Sequence, residues 1–141
     1  MTIESALYSH LSNKASITAL VSTRIYPQVA PDTASYPFIV YSVISEGHEH
    51  SMSGASGLAS VTMQIDAWAS TVASRVALSE AIRNALDGFR GDMGTENLSI
   101  RSCFLESRSN FFEPKTDGKE TPDHRASLDF LIWHFESVPT L

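Results

Sequence analysis

The pattern of apolar and polar positions is clearest between Leu58 and Phe89. Apolar residues occupy every second position from Val61 to Ala67 and polar residues lie between them, as expected for a strand with one buried face. Directly afterwards, apolar residues recur mostly at steps of three and four, which is typical of an amphipathic helix. These residues are Val72, Val76, Leu78, Ile82, Leu86 and Phe89. The sequence therefore predicts a half-buried strand followed by the one long helix of the chain.

Both ends of this helix are marked in the sequence. Ser70 or Thr71 offers a hydroxyl oxygen that can accept hydrogen bonds from the free amide groups of a helix start. Asp87-Gly88 predicts the end, since glycine readily adopts the left-handed backbone of a helix C-terminus.

The remaining elements follow from shorter patterns. Apolar residues at helical spacing predict two short N-terminal helices, at 3–11 and 17–21. Runs rich in β-branched and aromatic residues predict three more strands, at 38–44, 98–105 and 126–135. This order favours an α+β fold, an antiparallel sheet of about four strands with the long helix and the short N-terminal helices packed on one face.

Two stretches between these elements are predicted to be loops. Residues 46–57 are rich in glycine, serine and histidine, which indicates a long, mobile hairpin connection. Residues 106–123 are mostly polar but contain an aromatic pair, so we expect this loop to contact something. The strand at 126–135 carries large apolar residues on both faces, which indicates a second covering by a loop or a neighbouring chain.

Composition narrows the class of protein. With 141 residues, 43% hydrophobic and 18% charged, the chain suits a single soluble domain spanning residues 1–141. No stretch has the pattern of a signal peptide or the length of a membrane span, so we expect neither export nor a membrane partner. One cysteine fits a reducing compartment, and the net charge of −6 disfavours tight binding to nucleic acid. A protein partner is favoured.

Three segments of the sequence are candidates for a catalytic or metal site, and none of them has the required pattern. The segment 53–57 lacks the Gly-x-Ser-x-Gly spacing of a nucleophile loop. His48 and His50 would point to one side of a strand together with Glu46, but a metal site needs further ligands. Cys103 has no CxxC partner and lies on a predicted strand, which favours a buried small hydrophobic residue over a reactive thiol. We therefore predict no catalytic residue, no cofactor and no metal.

Large aromatic residues are the remaining candidates for a functional site. They are either core residues or anchors at a protein contact, where aromatic side chains are enriched. The candidate interface residues are Trp68, Phe111, Phe112, Pro114 and Trp133.

A set of short motifs resembles the tail-completion family of long-tailed phages, the head-to-tail joining or tail-terminator proteins of phages, prophages and gene transfer agents. The resemblance covers about nine-tenths of the chain, in the same order and at compatible spacing. The motifs are Arg24-Ile25-Tyr26-Pro27, Tyr36-Pro37-Phe38-Ile39-Val40-Tyr41, Ser56-Gly57-Leu58, Gln64-Ile65-Asp66-Ala67-Trp68-Ala69, Ala85-Leu86-Asp87-Gly88-Phe89-Arg90-Gly91, Glu113-Pro114 and Asp129-Phe130-Leu131-Ile132-Trp133-His134.

This resemblance implies a structural role. It implies a subunit that assembles with itself as a ring, usually a hexamer, caps the tail tube and joins it to the head connector or stopper protein. It also implies a place at the head-proximal end of the virion tail, reached from the host cytoplasm during assembly, with DNA only passing through the lumen. The family implies no catalytic residues. The alternative from the residues alone is a small soluble α+β enzyme or ligand-binding domain.

Overall fold

The computed structural model describes residues 2–115 and 121–138, and this part of the chain is mostly β. The helices are α1 (Ile3–Ser12), α2 (Ala15–Val21) and α3 (Val72–Leu86). The strands are β1 (Ile25–Pro27), β2 (Phe38–Ser51), β3 (Gly54–Ala69), β4 (Gly91–Met93), β5 (Leu98–Glu113) and β6 (Asp123–Phe135).

The strands form one curled, half-barrel sheet in the order β1-β2-β3-β6-β5-β4. β1 runs parallel to β2, and the other neighbours are antiparallel. The predicted fold class, an α+β antiparallel sheet of about four strands, is therefore wrong. The two edge strands span three residues each, too few for a two-residue alternation to stand out. β2 and β5 also continue far beyond their apolar segments.

The two central strands divide the molecule into two faces. β3 and β6 pair without interruption through twelve residue pairs, from Leu58 opposite Phe135 to Ala69 opposite His124. Val61, Met63, Ile65 and Ala67 are buried on one face, as the alternation predicted. They form one core with apolar residues of all three helices. We call this the helix face, and the opposite side of the sheet the helix-free face.

The long helix begins and ends where the sequence predicted. The hydroxyl oxygen of Thr71 accepts a hydrogen bond from the amide of Ser74 at 3.1 Å, and Gly88 has a φ of 85°. At this end the Asp87 carboxylate accepts the Leu105 amide at 3.0 Å. The helix is thereby fixed to β5 beside a register shift of that strand.

The buried face of α3 is narrower than the apolar pattern suggested. Leu78, Ile82 and Leu86 are fully buried, whereas Val72 and Val76 are 52% and 48% exposed. Steps of four residues bring the first three onto one side of the helix. The two valines lie in the first turns and outside the core.

Both predicted loops are largely strand. β2 continues to Ser51 and β3 begins at Gly54, so a two-residue turn replaces the predicted connection at 46–57. Residues 106–113 belong to β5, and part of the second predicted loop, 116–120, lies outside the described residues. Residues 44–51 and 106–113 are exposed. A strand without a buried face carries no apolar alternation, which explains why the sequence pattern missed both extensions.

Within the described ranges, none of the helices is long and apolar enough to cross a membrane.

The core of α3 can be tested with a matched pair of variants. Ile82→Ala removes a fully buried side chain, so we expect the free energy of unfolding to fall by about 2–5 kcal/mol. Val76→Ala on the same helix should change it by no more than about 0.5 kcal/mol, because Val76 is exposed. Urea denaturation followed by circular dichroism measures both. Equal losses would contradict the observed orientation of the helix.

Candidate interaction site on the helix-free face

Three side chains from adjacent strands meet at one end of the helix-free face. Arg125 on β6 lies opposite Trp68 on β3 and opposite Phe111 on β5. Its guanidinium carbon is 4.4 Å from the centre of the Phe111 ring and 5.2 Å from that of the Trp68 ring. A cation between two aromatic faces is attracted by both rings. We call these residues the arginine–aromatic cluster.

The segment between β1 and β2 lies over this end of the sheet. The hydroxyl of Tyr36 donates a hydrogen bond to the carboxylate of Asp123 at the start of β6. The Tyr36 ring packs on Phe38 with the ring centres 5.3 Å apart, and Phe38 stacks on Trp68 at 5.8 Å. These contacts connect the segment to the arginine–aromatic cluster.

A cleft of about 380 Å³ remains between this segment and the sheet. We call it the main cleft. Its walls include Val29, Pro31, Tyr36, Asp66, Trp68 and Arg125. A smaller recess of about 210 Å³ shares Trp68 and Arg125 and is bounded by Phe111, Phe112, Glu113 and Asp123. Trp68 and Arg125 thus line both cavities.

Two residues that line the main cleft carry hydrogen-bond donors without an acceptor among the described residues. The indole nitrogen of Trp68 is one of them, and it is buried beneath the surface. Within residues 2–115 and 121–138, Arg125 forms no ion pair and no hydrogen bond, and its contacts are the two aromatic rings. The Asp66 carboxylate already accepts the Gln64 amide at 3.1 Å. The guanidinium of Arg125 is the donor that an occupant of the cleft can reach, so this arrangement favours an occupant with oxygen acceptors.

Three of the five predicted interface residues, Trp68, Phe111 and Phe112, border the smaller recess, but only the first two belong to the arginine–aromatic cluster. Phe112 points to the other face of the sheet, where its ring lies 4.9 Å from that of His124. Pro114 is exposed just after β5. Trp133 lies on the helix-free face, but it is eight residues from Arg125 along β6, a distance of about 26 Å.

Trp133 belongs to a second apolar region of the helix-free face. It is partly buried opposite Ser102 of β5. Nearby, Phe104 is 57% exposed and Phe135 is 45% exposed. The guanidinium of Arg101 lies 5.5 Å from the centre of the Phe135 ring. This face therefore carries apolar residues at both of its ends.

Sequence reasoning missed the contribution of Arg125. A single arginine in a strand is ordinary, and its role depends on two neighbours that come from other strands. Tyr36 and Phe38 belong to a motif noted in the sequence, but their packing on Trp68 depends on the folded sheet. No local signal in the sequence could have indicated either contact.

The two histidines considered as metal ligands do not form such a site. The ring of His48 donates a hydrogen bond to the Glu136 carboxylate at 2.6 Å, and its other nitrogen lies 3.5 Å from Glu46. Among the described residues there is no group of three or more histidine, cysteine or acidic side chains that could hold a metal ion. The hydrogen bond to Glu136 raises the pKa of His48, because it stabilises the charged imidazolium.

Cys103 is fully buried in the core, as the sequence predicted. Burial raises the pKa of its thiol to about 12, and the nearby charge of Asp87 acts in the same direction. The nucleophilic thiolate is therefore strongly disfavoured at neutral pH.

A match to a known protein family establishes the class of this protein. Residues 5–134 match a protein family described as "Tail completion protein gp17", which makes this a phage-type structural tail protein. The chain belongs to the tail completion protein gp17 family. None of the curated proteins matches it by sequence.

A solved structure shares the fold. A chain of the "Virion of native gene transfer agent (GTA) particle" superposes with a TM-score of 0.67 at 20% sequence identity. The match covers 94% of each chain. At this identity the similarity concerns the fold.

The histidines provide a test of the described contacts. We expect His48 to titrate above 6.5, and Glu136→Gln to lower its pKa, because the carboxylate stabilises the charged ring. His10, whose ring donates to the Ala85 carbonyl at 3.0 Å, should titrate below 6.5, because burial disfavours its charged form. NMR titration of the imidazole protons measures both values.

The pKa shifts of His48 and His10 make the stability of the protein depend on pH in opposite directions. The contribution of His48 is fully present below pH 6.5 and is lost as the pH rises through its raised pKa. That of His10 is present above pH 6.5 and is lost as the pH falls through its lowered pKa. A His48 pKa that does not respond to Glu136→Gln would contradict the described contact.

Proposed function

We propose that this protein assembles as a hexameric ring at the head-proximal end of a phage-type tail. There it caps the tail tube and joins it to the head connector or stopper protein. The observation that carries the proposal is the family match across residues 5–134. The fold shared with a chain of a gene transfer agent virion supports it.

The helix-free face supports a role in protein contacts. The arginine–aromatic cluster contains arginine and tryptophan, two of the residue types that most often dominate binding energy. Phe111 on this face is 47% exposed, and Phe112, which points to the other face of β5 but borders the same recess, is 58% exposed. The apolar residues around Trp133 lie about 26 Å further along β6. Two separate apolar regions suit a subunit that contacts more than one partner.

The charge of the protein supports a passive role towards DNA. Each subunit carries a formal charge of −6, so a ring of such subunits is strongly acidic. An acidic lumen would repel the phosphate backbone and let the duplex pass without binding. We therefore propose no catalytic step, and the burial of Cys103 with its raised pKa is consistent with that role. No specific observation favours the alternative of a small enzyme or ligand-binding domain.

The position in the virion is the direct test. Cryo-electron microscopy of particles that carry a tagged copy should show six copies at the junction of tail tube and head connector. Deletion of the gene should yield heads and tails that remain separate, while both still form. Tagged protein at the distal tip of the tail, or its absence from finished particles, would refute the proposal.

The exposed aromatic residues provide a second test. The double variant Phe111→Ser and Phe112→Ser should fold normally, because both side chains are largely exposed. It should nevertheless lose head-to-tail joining, since interface aromatic residues often contribute about 2 kcal/mol or more each. Thermal unfolding measures the fold, and counts of joined particles in electron micrographs measure the function.

Val72→Ser on α3 is the matched control, because Val72 is similarly exposed, at 52%, but lies outside the arginine–aromatic cluster and both cavities. It should leave particle yield unchanged. Unfolding of the double variant would assign the two phenylalanines to the core instead.

A further inference from the structure

We propose that the main cleft of one subunit binds the tip of the β2–β3 hairpin of a second copy. This inference rests on the proposed ring and identifies the two surfaces that would meet between neighbours. The occupant is the turn at 52–53 together with the last residues of β2.

The residues that line the main cleft determine which chemical groups its occupant must carry. Among the described residues the Arg125 guanidinium has no carboxylate partner, and it lies against the ring of Trp68. The walls also include apolar and aromatic side chains, Val29, Pro31 and Tyr36. The matching segment therefore carries an apolar side chain beside an oxygen acceptor, preferably a charged one.

The hairpin tip carries this combination. Met52 at the turn is fully exposed. Glu49 and His50 precede it and are also exposed. A methionine side chain is flexible and packs favourably against aromatic rings. The Glu49 carboxylate is a charged acceptor for Arg125, and the His50 ring offers a donor for Asp66, which lines the same cleft.

The contact must form between two copies. Gly54 and Trp68 are fourteen residues apart on the same strand, which corresponds to about 46 Å. The hairpin and the main cleft therefore lie at opposite ends of one subunit and cannot meet within it. A contact between two different surfaces of identical subunits is heterologous, and it generates a ring when the rotation closes.

Disulfide trapping tests the contact in assembled particles. Met52→Cys places a thiol at the hairpin tip, and Val29→Cys places one in the wall of the main cleft, where Val29 is 76% exposed. Mild oxidation of particles carrying both changes should yield covalent multimers of this chain on a denaturing gel. Each single variant should remain monomeric, and so should the parent, because Cys103 is buried.

Two results would overturn the inference. Covalent dimers from Met52→Cys alone would show that two tips meet each other. Six copies at the head-proximal end without multimers from the double variant would show that the ring forms through other surfaces, and the proposed function would stand. Absence of the protein from particles would refute both.

A charge exchange tests the same contact without cysteines. Arg125→Glu and Glu49→Arg should each lower the yield of joined particles about tenfold, since each places like charges together. The double variant should recover most of this loss. Glu106→Arg, on the exposed part of β5, is the control and should have little effect.

Circular dichroism melting of each purified variant separates misfolding from lost assembly. If folded Arg125→Glu retains full yield, or if the double variant shows no recovery, the pairing of Glu49 with Arg125 is wrong.

Discussion

The uninterrupted pairing of β3 with β6 is the constraint on which the rest of the structure depends. Its twelve pairs contain no register shift, whereas the pairing of β2 with β3 and that of β5 with β6 each contain two. Because side chains alternate along both strands, this register fixes which residues face the helices. A slip of one residue would move Phe130 and Met63 out of the core and turn Arg125 and Trp68 into it. The register of β3 and β6 therefore determines both the core and the arginine–aromatic cluster.

The irregular strands on either side serve a different purpose. A β-bulge bends a strand and increases its local twist, so the bulge at Ile44 in β2 and those at Arg101 and Glu106 in β5 help to curl the sheet. The shift near Leu105 lies beside the contact between Asp87 and the Leu105 amide. The helix end and the bend of β5 are therefore coupled through one side chain.

The elements that could be predicted are those that bury one face against the core. The alternation around Met63, the helix ends at Thr71 and Gly88, and the short N-terminal helices all leave local patterns, and the structure confirms them. The strand extensions beyond Ile44 and Leu105 could not be predicted. Their side chains are exposed on both faces, so nothing requires apolar and polar residues to alternate there. Only part of the candidate interaction site could be predicted from the sequence. Trp68 and Phe111 stand out by residue type, but the role of Arg125 arises from pairing between strands distant in sequence.

The separation of the two faces has an energetic consequence for assembly. Stability comes mainly from the helix face, where the side chains from Ile3 to Ile132 that form the core are almost fully buried. Residues of the helix-free face are therefore available for contacts with partners, with little effect on folding. Subunits of charge −6 repel one another, but the screening length at physiological salt is about 8 Å, so this repulsion is weak beyond the first contacts. What decides association is then the short-range pairing of individual charges. Arg125 is held between two rings and has no counter-ion within the described ranges. In the proposed ring it provides the attraction that an acidic subunit needs to recognise an equally acidic copy of itself.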